Sequence, residues 1–356
     1  MNIGLVVHHY DPADGTGGYG VELVQRLCRE HDVTLYAAAV RAPVPAGVRV
    51  VQVPALGGSA YARILSFPLA FAAVRKQHDV IHAQGWVTTD ATVVTTHIVL
   101  AAWRDAARAA GIASPPGERL LGGFVASREG ALVRGARRVI TPSRRAAGDV
   151  ARWYGRDRDV HVIHHGFPAP LALPGRGDAR RALGLPDHAF VALYAGDARK
   201  GFDRAAHALA GAPGMWLLVA SRSRPDAYLA RARALGVGDR VHWAGGMDDV
   251  RPAYAAADLL LHPTVYDTFA MVVAEAMANG VPVIMSREAG IADLVVHGES
   301  GWIVEPGVDA GAALRALRGD PALRARLAAG GRAVAAARTW DHVTRETVAV
   351  YQEARA

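Results

Sequence analysis

Residues 262–284 read HPTVYDTFAMVVAEAMANGVPVI. Asp267, Met271 and Glu275 recur every four residues, so they lie near one face of a helix. The helix is predicted to begin near Phe269, which leaves the amides of Ala270, Met271 and Val272 without carbonyl partners. Those donors, at the positive end of the helix dipole, suit a phosphate group. Glu275 sits among apolar residues, where a carboxylate needs a partner, and a ribose hydroxyl pair would serve. The plain alternative is an N-cap Asp followed by a partly exposed Glu. Asn279-Gly280 predicts a left-handed helix end, and VPVIM returns the chain to a sheet.

Working outward, strand and helix patterns alternate along the chain, which indicates α/β architecture with parallel sheets. The C-terminal strand series is FVALYAG, WLLVAS, VHWAGG, DLLLHPT, VPVIMS and GWIV. The N-terminal series is NIGLVV, DVTLYAAA, VRVVQVP, DVIHAQG, TVVTTHIV and RRVITPSR, with one long helical region ending near Arg137. Between them GFPAPLALPG, residues 166–175, holds three prolines and two glycines and is the best linker. The expectation is two Rossmann-like domains facing a central cleft, 1–165 and 166–339. The terminal helix, 340–356, is expected to join the first. Ligands of such sheets bind at the carboxyl ends of the strands.

The 356 residues suit about two domains of ordinary size. With 51% hydrophobic and 21% charged residues, the chain can build ordinary cores and is not disordered. The single cysteine, Cys28, excludes a disulfide framework and a Cys-based metal centre. MNIGLVVHHY reads as a first strand rather than a signal peptide. No apolar run reaches the ~18 residues that span a bilayer. A cytoplasmic protein is expected.

Residues 1–165 hold 19 Lys/Arg against 13 Asp/Glu, and the rest of the chain is nearly balanced, so most of the net +7 is N-terminal. Positive charge there suits phosphates or the anionic inner face of a membrane, while Arg-rich composition alone would also produce it. Helices around 60–77 and 100–138, with Arg134, Arg137 and Arg138, are the candidate membrane-facing elements. The aromatic and basic interleaving of RNA-binding modules is missing, which excludes nucleic acid as the expected partner.

Two loops carry further signals. GTGGYG matches G-x-G-x-x-G at Gly15, Gly17 and Gly20. The first glycine does not follow the strand directly, and the second strand lacks the acidic residue that grips a ribose, so a dinucleotide site is disfavoured. A flexible loop bringing Gly17-Gly18 close to a phosphate or sugar fits better. In LYAGDARKGFDR, Arg199 and Lys200 sit on a strand-to-helix loop, where two cations can neutralise a diphosphate. A solvated surface pair is the alternative. Lys200 is one of two lysines in the chain. No residue spacing suggests a metal site: Asp157 and Asp159 lie on a charged surface stretch, Asp248-Asp249 reads as a helix cap, and the histidines lack zinc-ligand spacing.

These residues together resemble family 4 glycosyltransferases of the GT-B fold, and GDARKGFDR resembles the lipopolysaccharide-core glucosyltransferase type. The stretch from Asp267 to Glu275 is similar to the family's E-x7-E motif with its trailing EAMAxGxPVI, and VIHHGF stands where the family has VIPNGV. The resemblance implies retaining transfer of a hexosyl group from a nucleotide-diphosphate sugar, UDP-linked by preference, without metal or other cofactor. The acceptor would be a hydroxyl of a glycan, glycolipid or small molecule, bound by the first domain. It further implies that Gly17-Gly18 form a mobile loop near the donor phosphates and that Arg199 and Lys200 bind the diphosphate. Asp267 would hold sugar hydroxyls, the backbone from Phe269 through Ala270, Met271 and Val272 would face phosphate or sugar, and Glu275 would hold the ribose. His97 would sit near the anomeric carbon; a satisfied core histidine is its alternative reading. The chain departs from the family at Asp267 (usually Glu), Ala270 (usually Gly) and Asp197 (usually Arg). A GT-B epimerase, an NAD-dependent oxidoreductase and a non-catalytic sugar-nucleotide-binding protein are the competing classes.

Overall fold

The computed structural model describes residues 1–57 and 60–356. The chain divides into two compact units, Met1–Gly166 with Trp340–Ala356, and Phe167–Thr339.

The first unit is a parallel sheet of β1 (Asn2–Tyr10), β2 (Asp32–Val40), β3 (Arg49–Gln52), β4 (Val80–Gln84), β5 (Val93–Thr95), β6 (Arg138–Thr141) and β7 (Val160–Val162). Its strand order is β3-β2-β1-β4-β5-β6-β7. Helices α1 (Gly15–Leu27), α2 (Ala60–Val74), α3 (Leu100–Ala109), α4 (Pro116–Gly135) and α5 (Arg144–Tyr154) connect the strands. The second unit begins with α6 (Arg176–Ala182) and β8 (Phe190–Ala195), then α7 (Phe202–Ala210), β9 (Met215–Ala220), α8 (Asp226–Ala234) and β10 (Val241–Gly245). It continues through α9 (Arg251–Ala256), β11 (Leu259–His262), α10 (Met271–Ala278), β12 (Val283–Ser286), β13 (Trp302–Val304), α11 (Gly311–Gly319) and α12 (Pro321–Ala337). Its order, β10-β9-β8-β11-β12-β13, repeats that of the first sheet. In both, the order reverses beside the first strand, between β1 and β4 and between β8 and β11. The ligand-binding crevice at the strand carboxyl ends therefore falls after β1 and β4 in one unit and after β8 and β11 in the other. This is the α/β, GT-B arrangement of two Rossmann-like domains.

The central strands are apolar on both faces because helices cover both: Ile3, Leu5 and Val6 of β1, and Val191, Ala192 and Leu193 of β8, are fully buried. The last helix, α13 (Trp340–Arg355), packs into the first unit. Its Tyr351 hydroxyl meets the buried His82 Nδ1 at 2.6 Å, and Arg26 pairs with Asp341 at 2.8 Å.

Three local expectations change. The glycine-rich stretch is not a flexible loop but the first turn of α1, which starts at Gly15. Asp14 caps it by accepting from the Thr16 amide at 3.2 Å. A methyl group on Gly17 would lie 2.6 Å from the carbonyl oxygens of both His9 and Asp11. Gly17 thus lets the helix start pack on its own preceding loop. The long helix before Arg137 is two helices, interrupted where Gly111 turns left-handed (φ +67°) and Pro115-Pro116 follow. The strand read from TVVTTHIV shortens to Val93–Thr95, so His97 lies beyond its carboxyl end.

Candidate donor site

The second unit's site is built on the loop after β8. Gly196 (φ +110°) turns the chain out of the sheet, and a 3₁₀ turn, Ala198–Lys200, follows. Asp197 accepts from the Arg199 amide at 2.9 Å and folds onto the Arg199 guanidinium at 3.0 Å (Nε) and 2.7 Å (Nη2). Burial raises the Asp197 pKa, but the bonds from Arg199 and the Lys200 charge outweigh it and leave the carboxylate ionised below its usual range. Arg199 is therefore held by its own neighbour, a constraint on the expected phosphate contact. Lys200 points elsewhere: its Nζ pairs with Asp267 Oδ2 at 2.8 Å. Gly201 allows this loop to lie on the chain leaving β11, since a methyl group there would sit 2.7 Å from the Pro263 carbonyl oxygen.

Asp267 joins this loop to α10. Its Oδ1 accepts from the amides of Ala270 at 2.9 Å and Phe269 at 3.2 Å. Burial pushes its pKa up, and Lys200, His262 and these bonds more than reverse the shift. The Ala270 amide is consequently already satisfied, which corrects its expected place among the open donors. Those of Met271 and Val272, in the first turn of α10, have no hydrogen-bond partner among the described residues. Ala270 itself is left-handed at φ +76°, which explains why glycine is usual at this position.

Glu275 faces the same helix side and is half-buried. Its partner is the Tyr254 hydroxyl on α9, 2.6 Å away. Burial raises the Glu275 pKa and the Tyr254 bond partly offsets it. Gly280 ends the helix left-handed at φ +70°, while Asn279 turns back to donate to the Glu275 carbonyl at 2.8 Å. Arg199, Lys200, Asp267, Phe269, Ala270, Met271, Val272 and Glu275 are thus gathered in one unit, along one loop and one helix start.

Gly17, Gly18 and His97 lie in the other unit. Tyr19, next to the glycines, packs its ring edge against His97 with 4.8 Å between centroids. His97 Nε2 meets Gln84 Oε1 at 2.8 Å, and burial lowers its pKa to about 3, so the imidazole is neutral. Asp249, one residue before the α9 cap position, accepts from the Arg251 amide at 3.0 Å, and Asp159 pairs with Arg138 at 3.3 Å. Among the described residues no three His, Cys, Asp or Glu side chains come together as metal ligands.

Three participants escape sequence reasoning. Tyr254 reaches Glu275 from 21 residues away, Asp197 clamps Arg199, and His262 lies 3.8 Å from Asp267. His262 stands at the head of the quoted stretch, but nothing in its spacing marks it as part of the site.

The model for "Glycosyl transferases group 1" matches residues 176–334, and that for "Glycosyltransferase Family 4" matches residues 13–169. A D-inositol 3-phosphate glycosyltransferase of Acidothermus cellulolyticus is 34% identical over 78% of this chain and 68% of its own length. The chain belongs to glycosyltransferase family 4. Two solved structures share the glycosyltransferase's fold. WaaG, a glycosyltransferase involved in lipopolysaccharide biosynthesis, superposes with a TM-score of 0.76 over 97% of this chain and 98% of WaaG, at 20% identity. Anabaena HepE in complex with UDP and glucose gives 0.74 over 99% of both chains, also at 20% identity. The two matched spans place the Lys200 loop and α10 in the group 1 segment of the glycosyltransferase, and Gly17 and His97 in the family 4 segment.

Proposed function

We propose that this glycosyltransferase moves a hexosyl group, with retention, from a UDP-sugar to a hydroxyl of a glycan, glycolipid or small molecule. One observation carries the donor assignment: the single Asp267 carboxylate touches both the Lys200 ammonium and the amides that open α10. A lysine charge and a helix N-terminus therefore converge within the width of one anion, as a phosphate requires. The UDP complexes of HepE support UDP as the nucleotide, and the name of the inositol-phosphate relative supports a small polyol acceptor among the three classes.

In this scheme Lys200 and Arg199 neutralise the diphosphate, and Met271 and Val272 donate to it. Asp267 holds sugar hydroxyls, and Glu275 takes the ribose hydroxyl pair beside Tyr254. The second unit is the donor domain. The first, with Gly17-Gly18 and the neutral His97, is the acceptor domain. The acceptor attacks from the face the diphosphate leaves, and the leaving phosphate takes its proton. Catalysis then rests on positioning and on charge stabilisation by the chain's own cations, without a metal. Product NMR reads retention directly: an inverted anomer overturns that step. Melting with free UDP, GDP, ADP and NAD tests the donor. A ligand at 100 times its dissociation constant adds about 2.7 kcal/mol; stabilisation by NAD alone would overturn the UDP-sugar assignment.

The enzyme is proposed to work in the cytoplasm, docked on the anionic inner face of the membrane. No helix among the described residues is long and apolar enough to cross a bilayer. The arginines expected to face lipid are engaged: Arg137 donates to the Ala354 carbonyl and Arg138 pairs with Asp159 and Glu353. A better surface is the outer face of α4, where Leu120 (81% exposed) and Phe124 (54%) are one turn apart beside exposed Arg119 and Arg128. Inserting each apolar side chain is worth about 1.5–3 kcal/mol. Sedimentation with phosphatidylglycerol vesicles at low salt should pellet the wild type and leave Leu120→Ser/Phe124→Ser in solution. A wild type that stays in solution rejects the docking surface.

A further inference from the structure

The carboxyl end of β11 holds a polar side chain that the transfer scheme leaves unused. His262 is 3% exposed, and neither ring nitrogen has a hydrogen-bond partner among the described residues. Such an imidazole is costly to bury without a reason. Its Nε2 lies 3.8 Å from Asp267 Oδ2, the oxygen that Lys200 holds at 2.8 Å. Lys200, Asp267 and His262 thus form a row in which one carboxylate lies between an ammonium and a neutral imidazole.

We propose that His262 is a positioning residue that backs Asp267, taking up a proton when Lys200 engages the donor diphosphate. The inference deepens the proposed donor site and rests on it. Without donor, one cation serves one carboxylate. A bound diphosphate draws on the same ammonium and adds negative charge beside Asp267. A proton on His262 then restores the balance and keeps Asp267 ionised and in place for the sugar. His262 is too buried to touch the donor, so it acts through Asp267.

Before donor binds, burial lowers the His262 pKa to about 4; Asp267 opposes this and Lys200 adds to it. These two, from the loops after β11 and β8, are the charged groups whose fields reach the ring. Arg204 of α7, which donates to the Thr264 carbonyl, pairs with Glu288 after β12 at 3.5 Å. Donor binding weakens the opposing Lys200 field and raises the pKa. The sign follows: between about pH 4 and the raised value, binding takes up a proton, and affinity falls as pH rises.

Calorimetric titration of UDP into the whole protein at pH 5.5 and 7.5, in buffers of different ionisation heat, tests this. UDP carries its own titrating phosphate, so the readout is the difference between wild type and His262→Gln, which offers a permanent donor with no proton to gain. Full coupling of one proton changes affinity about tenfold per pH unit. The wild type should lose at least about threefold more affinity across this range than the variant does, the lower bound for partial coupling. Asp267→Asn, which removes the charge the proton answers, should lose the same extra dependence, and it keeps the test decisive if His262→Gln folds poorly. Equal pH dependence and equal proton uptake in wild type and variants overturns the role of His262 while leaving the donor site intact. Failure of UDP to bind wild type overturns both.

Discussion

Lys200→Ala should lower turnover by about 10²–10³, or about 3–4 kcal/mol of transition-state stabilisation, with the ligand-free fold retained. The size follows from where charge develops. As the glycosidic bond breaks, the diphosphate gains negative charge, and a cation fixed beside it needs no reorganisation at that moment. Asp267 already holds the Lys200 ammonium in place at 2.8 Å. The fold should survive, because Lys200 is partly exposed and Asp267 keeps its bonds from the Phe269 and Ala270 amides. Arg199 covers only a small part of the loss, since Asp197 holds its guanidinium through two nitrogens. Lys200→Arg should rescue poorly, because a planar fork does not replace a compact ammonium. Steady-state kinetics with a UDP-sugar decide it; unchanged turnover in Lys200→Ala removes the residue from the reaction.

Asp258→Asn should destabilise the second unit by about 3–5 kcal/mol, out of a total of about 5–15 for a typical domain. Arg180 is only 2% exposed. Its guanidinium bonds the Ala256 and Asp187 carbonyls and pairs with Asp258 Oδ2 at 2.9 Å. Asp258 also pairs with Arg176 and accepts from the Val191 amide at 2.7 Å. One carboxylate thus ties α6 to the start of β8 and to the turn between α9 and β11. Asparagine keeps the acceptor for Val191 and removes only the charge, leaving the buried guanidinium without its paired carboxylate. Urea unfolding should show the lower midpoint, and Arg180→Met added to Asp258→Asn should recover part of the loss. A midpoint unchanged by Asp258→Asn would mean that the pair is solvated.

The sheets were legible because parallel strands covered on both sides read as apolar runs: FVALYA, LLLH and VPVIM fall on β8, β11 and β12. The start of α10 was legible to within two residues, because Asp267 ties down the Phe269 and Ala270 amides just before it and Gly280 ends it. The glycine-rich stretch misled for a physical reason. Glycine permits both a mobile loop and a crowded helix start, and only the carbonyls of His9 and Asp11 against Gly17 distinguish them. Partners across space were not legible. Sequence showed that Glu275 needs one but could not supply Tyr254 from another helix. It also set Asp197 beside Arg199 without showing that the two fold onto each other. His262 carries no spacing signal, and its meaning comes from the 3.8 Å to Asp267.

The donor assignment stands or falls on whether α10 binds a nucleoside diphosphate. The direct measurement is the shift in melting temperature on adding UDP to wild type and to Glu275→Ala. The expected result is a clear stabilisation of wild type that largely disappears in the variant, whose helix has lost the ribose acceptor while Lys200 and Asp267 remain. An equal shift in both proteins, or none in wild type with any nucleoside diphosphate, would contradict it.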